Sequence, residues 1–396
     1  MFFELLVFVF LGMIAGVVVG LIPGIHPNLI VLAIPILLAI DVNPLLLLAF
    51  IVTMAVSNSI IDFIPSILLG APDDGNELSI LPGHKMLLAG HGYEAVKLTV
   101  IGGVGATVVC SLMLPFLLFL VPFLYGIAKP FIYMLLIVIV LIMVLTETGN
   151  KKLIALLVFF LAGLIGLLAN KLPINNSLVL FPVLSGLFGV SMLLLQIKSR
   201  IKIPEQTGAE LNVSRKTVNR SLLSGSFGGI FSGILPGVGS SEIASLASVE
   251  KNDHSFLVSI GAITTANILL SMISLYLIGK ARSGVAVVIE QTMSIGFNEL
   301  LMIVSVSLIA CGVSAILTLL MTKRFLGVIE QMNYSVISVF VLSLILLLTF
   351  VFTSFYGLFL LAICSVLGIF TNIVKIKRGN LMGVLILPTI LFYLPV

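Results

Sequence analysis

The chain has 396 residues, of which 60% belong to the hydrophobic set and only 9% are Asp, Glu, Lys or Arg. A globular protein carries roughly 25% charged residues, so this composition excludes a soluble protein of two or three domains and predicts an integral membrane protein. The 20 Lys and Arg against 16 Asp and Glu give a net charge of +4, and this small excess does not indicate nucleic acid as a partner.

Apolar stretches follow one another along the chain and are interrupted by one basic segment. Lys198 to Arg220 contains six Lys or Arg and two Glu among its 23 residues, with Pro204 and Gly208. We expect a cytoplasmic basic linker, 198–220, between a first membrane repeat, 1–197, and a second, 221–396. The apolar stretches run over 2–22, 29–40, 45–69, 98–121, 131–145, 153–169, 178–197, 222–235, 242–249, 256–278, 300–321, 334–352, 355–374 and 381–396.

The first apolar stretch, MFFELLVFVFLGM, lacks the basic region and the cleavage site of a secretory signal peptide. It is therefore expected to be a retained membrane helix. Cys110, Cys311 and Cys364 each lie in an apolar stretch and form no Cys-x-x-Cys pair, so they are interpreted as packing residues.

The two halves share a sequence pattern. A shift of 213 residues places Gly12–Asn28 (GMIAGVVVGLIPGIHPN) over Gly225–Ser241 (GSFGGIFSGILPGVGSS), so that three glycines at intervals of four and a Pro-Gly pair coincide. Small residues four apart are common wherever membrane helices pack closely, but the Pro-Gly pair and further matches predict an internal duplication. A shift of 209 residues gives these further matches: Asn58 with Asn267, Gly70 with Gly279 and Gly75 with Gly284.

Each Pro-Gly pair interrupts an apolar stretch, where freed backbone groups need a partner because lipid provides none. In the second half, the flanking arms Leu222–Leu235 and Glu242–Val249 would rise roughly 21 and 12 Å as helices, which is short of a ~30 Å hydrocarbon core. They are predicted to form a re-entrant hairpin. In the first half Phe2–Ile22 is long enough to span alone, so the hairpin there rests on the repeat.

The distribution of cations predicts the topology. With both hairpins and five crossings in each half, sixteen of the 20 Lys and Arg lie on one side of the membrane; a full crossing at the second Pro-Gly pair reduces the split to twelve against eight. The positive-inside rule favours a hairpin at the second Pro-Gly pair, with the linker in the cytoplasm. With the first hairpin granted from the repeat, both termini lie outside. The predicted fold is an all-α integral membrane protein with about ten transmembrane helices in two inverted repeats, each with a Pro-Gly re-entrant hairpin.

Both hairpin tips are predicted to lie near the middle of the membrane, where each opens a short helix. A helix N-terminus presents unpaired N–H groups and a partial positive charge, which suits an anionic ligand. Two side chains could add to this site, with His26 donating to an anion and Asn28 capping the helix. A buried kink satisfied by neighbouring helices is the alternative. The candidate substrate-binding residues of the tips are Pro23, Gly24, His26, Asn28, Pro236, Gly237, Gly239, Ser240 and Ser241.

Four further polar residues lie in apolar stretches. Asn58 and Asn267 are matched by the repeat, and an amide can hold a carboxylate or a sodium ion; amides that only pack helices together are the alternative. Asp62 and Glu242 are candidate ion-coupling carboxyls, with a purely structural hydrogen bond as the alternative. His84, His91 and His254 are interpreted as solvated loop histidines, and neither a catalytic nor a metal site is expected.

Four segments carry a resemblance to a known family: LIPGIHPN, ILPGVGSSEIA, SILLGAPDDGN and LPGHKMLLAGHGYEAVKL. They resemble the large membrane subunit of the tripartite tricarboxylate transporters over most of the chain. The second Pro-Gly motif matches best, whereas His26-Pro27 stands where the family tends to have Gly-Pro. The resemblance implies uptake of carboxylates driven by an ion gradient, with an external solute-binding protein and a small membrane subunit as partners.

These features predict a multi-pass secondary transporter of the cell membrane, surrounded by lipid, and not an enzyme. It moves a small organic anion, a di- or tricarboxylate, by alternating access, without a cofactor and with sodium or a proton as the coupling ion. Whether it forms a homo-oligomer is left open. The alternative is an ion or solute channel, and an intramembrane enzyme is a third reading.

Overall fold

The computed structural model describes residues 2–22, 43–70, 80–174, 176–197, 204–206, 213–234, 240, 243–244, 248, 250, 252–279, 281, 283–329 and 334–394. These residues form helices and connecting turns, with no strand among them. The helices of the first half are α1 Phe2–Leu21, α2 Pro44–Ile61, α3 Phe63–Leu68, α4 Ile80–Leu88, α5 Gly92–Leu112, α6 Leu114–Ala128, α7 Ile132–Leu145, α8 Lys151–Ala169, α9 Asn176–Leu184 and α10 Ser191–Ile197.

A π-helical segment, Ser185–Val190, joins α9 to α10, and a 3₁₀ turn, Lys129–Phe131, joins α6 to α7. In the second half another 3₁₀ turn, Arg378–Met382, precedes the last helix. The helices of the second half are α11 Arg215–Ile234, α12 Asp253–Ile278, α13 Gly284–Thr292, α14 Phe297–Ile329, α15 Tyr334–Ile373 and α16 Gly383–Tyr393.

Nine helices in the described part of the chain are long and apolar enough to cross a membrane. Several of these nine runs contain a break, among them Pro44–Leu68 at Asp62. The run Leu114–Leu145 is interrupted by the turn Lys129–Phe131, and Ser338–Ile373 by Ser354, whose φ of 54° and ψ of −155° are not helical. The prediction of an all-helical membrane protein is confirmed, and the inverted repeats and the two hairpins stay predictions.

The predicted stretch 98–121 is not one helix. Helix α5 begins earlier, at Gly92, and ends at Leu112, after which α6 begins at Leu114 with Pro115 in its first turn. Proline has no backbone N–H to donate, which costs nothing in the first turn of a helix but kinks or breaks a helix in its interior. The apolar composition of the stretch therefore correctly predicted membrane-embedded helix but gave the wrong helix boundaries.

The helices in extended contact with one another form two bundles. We call α1–α6 with α11–α14 the large bundle, and α7–α10 with α15 and α16 the small bundle. Each half of the chain thus contributes first to the large bundle and then to the small bundle. Helix α6 packs on α5, α11 and α12 of the large bundle and leads directly, through the turn Lys129–Phe131, into the small bundle.

Glycines allow the helices of the large bundle to approach closely, as is typical of membrane helices. In the crossing of α5 with α12, a methyl group placed on Gly102 would overlap the carbonyl oxygen of Val258, and one on Gly261 would overlap that of Thr99. These two contacts are reciprocal and join the two halves of the chain. Backbone therefore lies directly against backbone at this crossing.

The small bundle is packed in the same way. Methyl groups on Gly166 of α8 and Gly383 of α16 would overlap the carbonyl oxygens of Val384 and Phe159, so this crossing is reciprocal as well. The three cysteines are buried free thiols, distributed over both bundles, in agreement with their interpretation as packing residues: Cys110, Cys311 and Cys364.

Candidate transport site

The candidate site residues Asn58, Asp62 and Asn267 lie on or between helices of the large bundle. Asn58 and Asp62 lie one turn apart near the junction of α2 and α3, and their side chains are 2% and 3% exposed. Residues four apart on a helix share a face. Pro65 explains the break between α2 and α3 at Asp62, because a proline cannot donate to the carbonyl four residues before it, here that of Ile61.

The face around this break is rich in buried oxygen atoms. The side-chain oxygens of Ser57, Asn58 and Ser66 are buried without a hydrogen-bond donor among the described residues. A buried polar atom without a partner is costly and needs an explanation. Hard cations such as Ca²⁺ and Mg²⁺ prefer oxygen ligands, so this face has the donor chemistry of a site for a small cation.

Helix α1 lies against this face. A methyl group on Gly16 would lie 2.6 Å from Cβ of Ser57, and one on Gly20 would lie 3.3 Å from the carbonyl oxygen of Asn58. Helix α1 ends at Leu21, two residues before the first Pro-Gly pair. The packing glycines thus bring the end of α1 to the level of Asn58.

In the second half, Asn267 is half-buried on α12, and Ser240 is buried. Helix α11 packs on α12 as α1 packs on α2, with Gly233 placed against Leu270. The other candidate residues lie outside the described residues, and their predicted roles stay predictions: Pro23, Gly24, His26, Asn28, Pro236, Gly237, Gly239, Ser241 and Glu242.

Glu94 is a buried acidic residue that was not predicted as part of a site. Glu94 in the first turn of α5 is 2% exposed, and its two carboxylate oxygens lie 3.5 Å from Nδ1 of His91 and 3.5 Å from Nε2 of His254. His254 belongs to the first turn of α12, so this cluster joins the two halves. Close by, Nζ of Lys85 lies 2.7 Å from Oδ2 of Asp253. Spacing in the sequence gives no signal for contacts between residues so far apart.

The interpretation of the histidines as solvated is wrong for His84. This side chain is buried, and its Nδ1 donates to the carbonyl oxygen of Ile67, 3.2 Å away, near the end of α3. Burial lowers the pKa of His84, and the hydrogen bond to Ile67 opposes this effect in part. Gly83 makes the contact possible, because its missing side chain leaves room for Ile67. His84 therefore attaches α4 to α3 as a neutral side chain.

We expect the thermal midpoint of the protein to fall as the pH is lowered from 7 to 5, in part because of His84. The unfolded chain takes up a proton near pH 6.5, whereas the folded chain with its lowered pKa does not, so stability is lost as the pH falls below about 6.5. The variant His84→Gln, which retains a donor for Ile67, should show a smaller fall. Equal pH profiles for variant and wild type in a thermal-shift series would contradict this role.

In the described part of the chain, no group of three or more His, Cys, Asp or Glu could hold a metal ion. The polar atoms on the α2–α3 face, together with the half-buried amide of Asn267, are instead suited to bind small polar solutes and monovalent ions. Their place inside a bundle of membrane-crossing helices points to passage through the membrane rather than to chemistry on a substrate.

Comparison with known proteins agrees with this interpretation. The chain is 32% identical over 402 residues to an uncharacterised protein of Methanocaldococcus jannaschii, a match that covers 98% of this chain and 99% of the relative. No solved structure matches the chain. Residues 6–383, which include helices of both bundles, match the model of a family of membrane transporters, and this is consistent with the expectation that the chain is not an enzyme. The resemblance seen in the motifs is confirmed: the chain belongs to the tripartite tricarboxylate transporter TctA family.

Proposed function

We propose that the chain is the permease of a three-part uptake system in the cell membrane and moves a di- or tricarboxylate by alternating access. Membership of the family implies a solute-binding protein and a small membrane subunit as partners. The observation that carries the mechanistic part of the proposal is the recurrence of one packing pattern in the two halves of the large bundle.

The recurrence follows the two shifts found in the sequence. Gly12 and Gly16 of α1 lie against Phe50 and Met54 of α2, and Gly225 and Gly229 of α11 lie against Ser259 and Ala266 of α12. Helix α2 contacts α14, and in the same way its counterpart α12 contacts α5. Reciprocal contacts of this kind are what a two-fold relationship between two similar units requires, and they support the duplication.

The inverted orientation of the two repeats rests on the cations and on the sequence repeat together. The split of sixteen against four favours a hairpin at the second Pro-Gly pair, and the hairpin at the first pair follows from the repeat. In this arrangement their tips face each other near the midplane, where inverted-repeat transporters bind substrate between half-helices. The basic linker 198–220 then lies in the cytoplasm.

The anion is held by donors that carry no full charge. The predicted helix N-termini after Pro27 and Gly239 would provide N–H groups and partial positive charge, and the amides of Asn58 and Asn267 add directed donors. Lysine or arginine side chains in the same place would themselves need costly desolvation. This set of groups suits a carboxylate with more than one negative charge.

The coupling ion binds next to the anion, with Asp62 and Glu242 as the carboxyl candidates. The buried oxygens of Ser57, Asn58 and Ser66 support sodium, because a proton needs only one acceptor whereas a metal cation needs several oxygen ligands. A co-bound cation also offsets part of the charge of the anion, which lowers the cost of placing it in a low-dielectric centre.

The test is binding followed by counterflow. We expect the purified chain to be stabilised in a thermal-shift screen by citrate or a dicarboxylate, and more strongly with NaCl than with choline chloride. Liposomes that contain the chain with its two partner subunits should then show saturable exchange of radiolabelled anion against unlabelled anion. Flux that neither saturates nor exchanges would favour the channel alternative, and stabilisation by cations alone would remove the carboxylate.

We expect Asn58→Ala and Asn267→Ala each to weaken binding of the best-stabilising anion by about 1 to 3 kcal/mol, the usual range when a buried partner is left unpaired. This corresponds to roughly 5- to 150-fold in Kd, measurable by calorimetry. Asn372→Ala is the matched control, because Nδ2 of Asn372 donates to the carbonyl oxygen of Gly368 within the small bundle. Unchanged affinity in both test variants would remove the two amides from the site.

A further inference from the structure

We propose that the large bundle moves as one unit against the small bundle during transport, about the turn Lys129–Phe131. The inference rests on the alternating access of the proposed function and adds to it which parts of the chain move and where they turn. It is carried by the distribution of contacts between the two bundles.

Helices α6 and α7 form one apolar run that packs in two directions. The buried residues of α6 are Leu114, Leu117, Val121 and Tyr125, and α6 contacts α5, α11 and α12 of the large bundle. The buried residues of α7 are Ile132, Leu136, Val140 and Val144, and α7 contacts α8 and α16 of the small bundle. Each stripe recurs every three or four residues, as a helix with one buried face requires. The buried face of α6 therefore packs on the large bundle, and the buried face of α7 packs on the small bundle.

The junction between these two stripes has the features of a hinge. Lys129, Pro130 and Phe131 form a 3₁₀ turn, and all three are exposed. A 3₁₀ stretch inside a long helix often marks a hinge, and Pro130 removes one backbone donor that a continuous helix would use. Hinges are commonly a few residues at the ends of elements, so this turn can bend without breaking contacts of either bundle.

Hydrogen bonds and ion pairs hold the large bundle together internally. The ion pair of Lys85 with Asp253 and the contact of Glu94 with His254 both connect first-half helices to α12. Oγ of Ser221 lies 2.7 Å from Oγ of Ser255, which connects α11 to α12. Together with the reciprocal crossing at Gly102 and Gly261, these contacts make the two halves of the large bundle one body.

The small bundle has its own set of polar contacts. Oε1 of Glu147 accepts from the backbone N–H of Lys377 at 2.7 Å, and Nζ of Lys377 donates to the carbonyl oxygen of Thr146 at 2.9 Å. The buried Arg378 donates to the carbonyl oxygen of Phe188 in the π-helical segment and lies 5.2 Å from the centre of the Phe188 ring. These contacts join the end of α7, the π-helical segment and the 3₁₀ turn before α16, which are far apart in the sequence, so the small bundle is a second body.

Three of the four described candidate site residues lie on or between helices of the large bundle: Asn58, Asp62 and Asn267. Movement within the large bundle would have to separate helices whose backbones touch at glycines, whereas movement between the bundles does not. Packed interiors resist continuous deformation, so the contact between the bundles is where relative motion costs least. The site would then travel with the large bundle, and the small bundle would remain in place.

The test measures distances by double electron–electron resonance in a background in which Cys110, Cys311 and Cys364 are replaced by alanine. Pairs between the bundles carry spin labels at exposed positions: Lys152 on α8 with Lys216 on α11, and Lys152 with Arg324 on α14. The matched pairs within one bundle are Lys216 with Arg324, and Lys152 with Tyr356. Samples are in liposomes, without added anion and with citrate plus NaCl.

For the pairs between bundles, we expect the distance distribution to show two peaks that differ by about 5 Å or more, the rise of one helical turn. For each pair within a bundle, we expect one narrow peak. The proposal is overturned if the distance distributions of the pairs between bundles are as narrow as those of the pairs within a bundle under both conditions. It is also overturned if the distance of the pair within the large bundle changes as much as the distances between the bundles. Because the populations are read without a bound anion, failure of carboxylate binding does not affect this result.

The hinge itself is tested with Pro130→Ala. Alanine restores the backbone donor and favours a continuous helix from α6 into α7. The distance distributions of the pairs between bundles should therefore narrow to one peak. Pro122→Ala is the matched control, because Pro122 lies inside α6 and not between the two stripes. Two populations that persist unchanged in Pro130→Ala would overturn the assignment of the hinge to this turn.

Discussion

Replacing Gly102 or Gly261 by leucine should prevent the protein from folding into a stable, monodisperse form. Both glycines lie in the crossing of α5 with α12, where any side chain would overlap the backbone carbonyl of the opposite helix. Membrane helices associate through close packing, because lipid gives them no hydrophobic driving force toward one another. The crossing joins the two halves of the chain, so its loss would separate them.

The expected effect is larger than that of ordinary overpacking, which costs about 1 to 3 kcal/mol. In ordinary overpacking side chains can repack, whereas here the overlapping atom is backbone on a helix that other contacts hold in place. We expect a loss of most monodisperse protein in fluorescence-detected size-exclusion chromatography. The thermal midpoint of whatever protein remains should be clearly lowered.

Gly312→Leu is the control for this prediction. Gly312 lies in α14, another membrane-crossing helix of the large bundle, and no atom lies within 4 Å of the position that its Cβ would occupy. The variant Gly312→Leu therefore adds the same leucine side chain at a position where open space can accommodate it. Wild-type elution and thermal midpoint for Gly102→Leu and Gly261→Leu would mean that this crossing does not hold the halves together.

The glycine contacts show which part of the helix packing could be predicted from the sequence alone. The shift of 213 residues aligned Gly12 with Gly225 and Gly16 with Gly229, and all four lie in close helix contacts. Local pattern sufficed there, because glycines spaced by four share one face of a helix. The same reasoning could not find the crossing at Gly102 and Gly261, since the two residues belong to different helices with no shared spacing.

Boundaries and buried polar contacts were harder to predict. The stretch 98–121 is apolar throughout, and the break at Met113 follows from Pro115 rather than from hydropathy. Glu94 and His254 lie far apart in the sequence, and their contact exists only because α5 and α12 begin side by side. Periodicity reports which face of a helix is buried, not which helix it is buried against. The candidate residues at Pro-Gly segments were found by local motif, and their arrangement stays a prediction.

Replacing Gly24 or Gly237 by leucine should abolish transport while leaving a folded protein. The physical reason is that each glycine follows a proline at a predicted hairpin tip, where the backbone itself must approach the anion. A leucine side chain would fill that space and cover the N–H groups of the short helix that follows. We expect loss of anion counterflow, and loss of the thermal shift with the best-stabilising anion, at an unchanged elution profile.

The choice of control decides whether this result can be interpreted. Gly12→Ala is not a suitable control, because a methyl group on Gly12 would lie only 2.5 Å from the carbonyl oxygen of Phe50. Gly126→Leu is a better control, since Gly126 is exposed on α6 with no atom within 4 Å of its Cβ position. If both tip variants transport like Gly126→Leu, the anion does not bind at the Pro-Gly segments. If they lose the folded elution profile as well, the two glycines are needed for helix packing, and the amides of Asn58 and Asn267 remain as the independent test of the site.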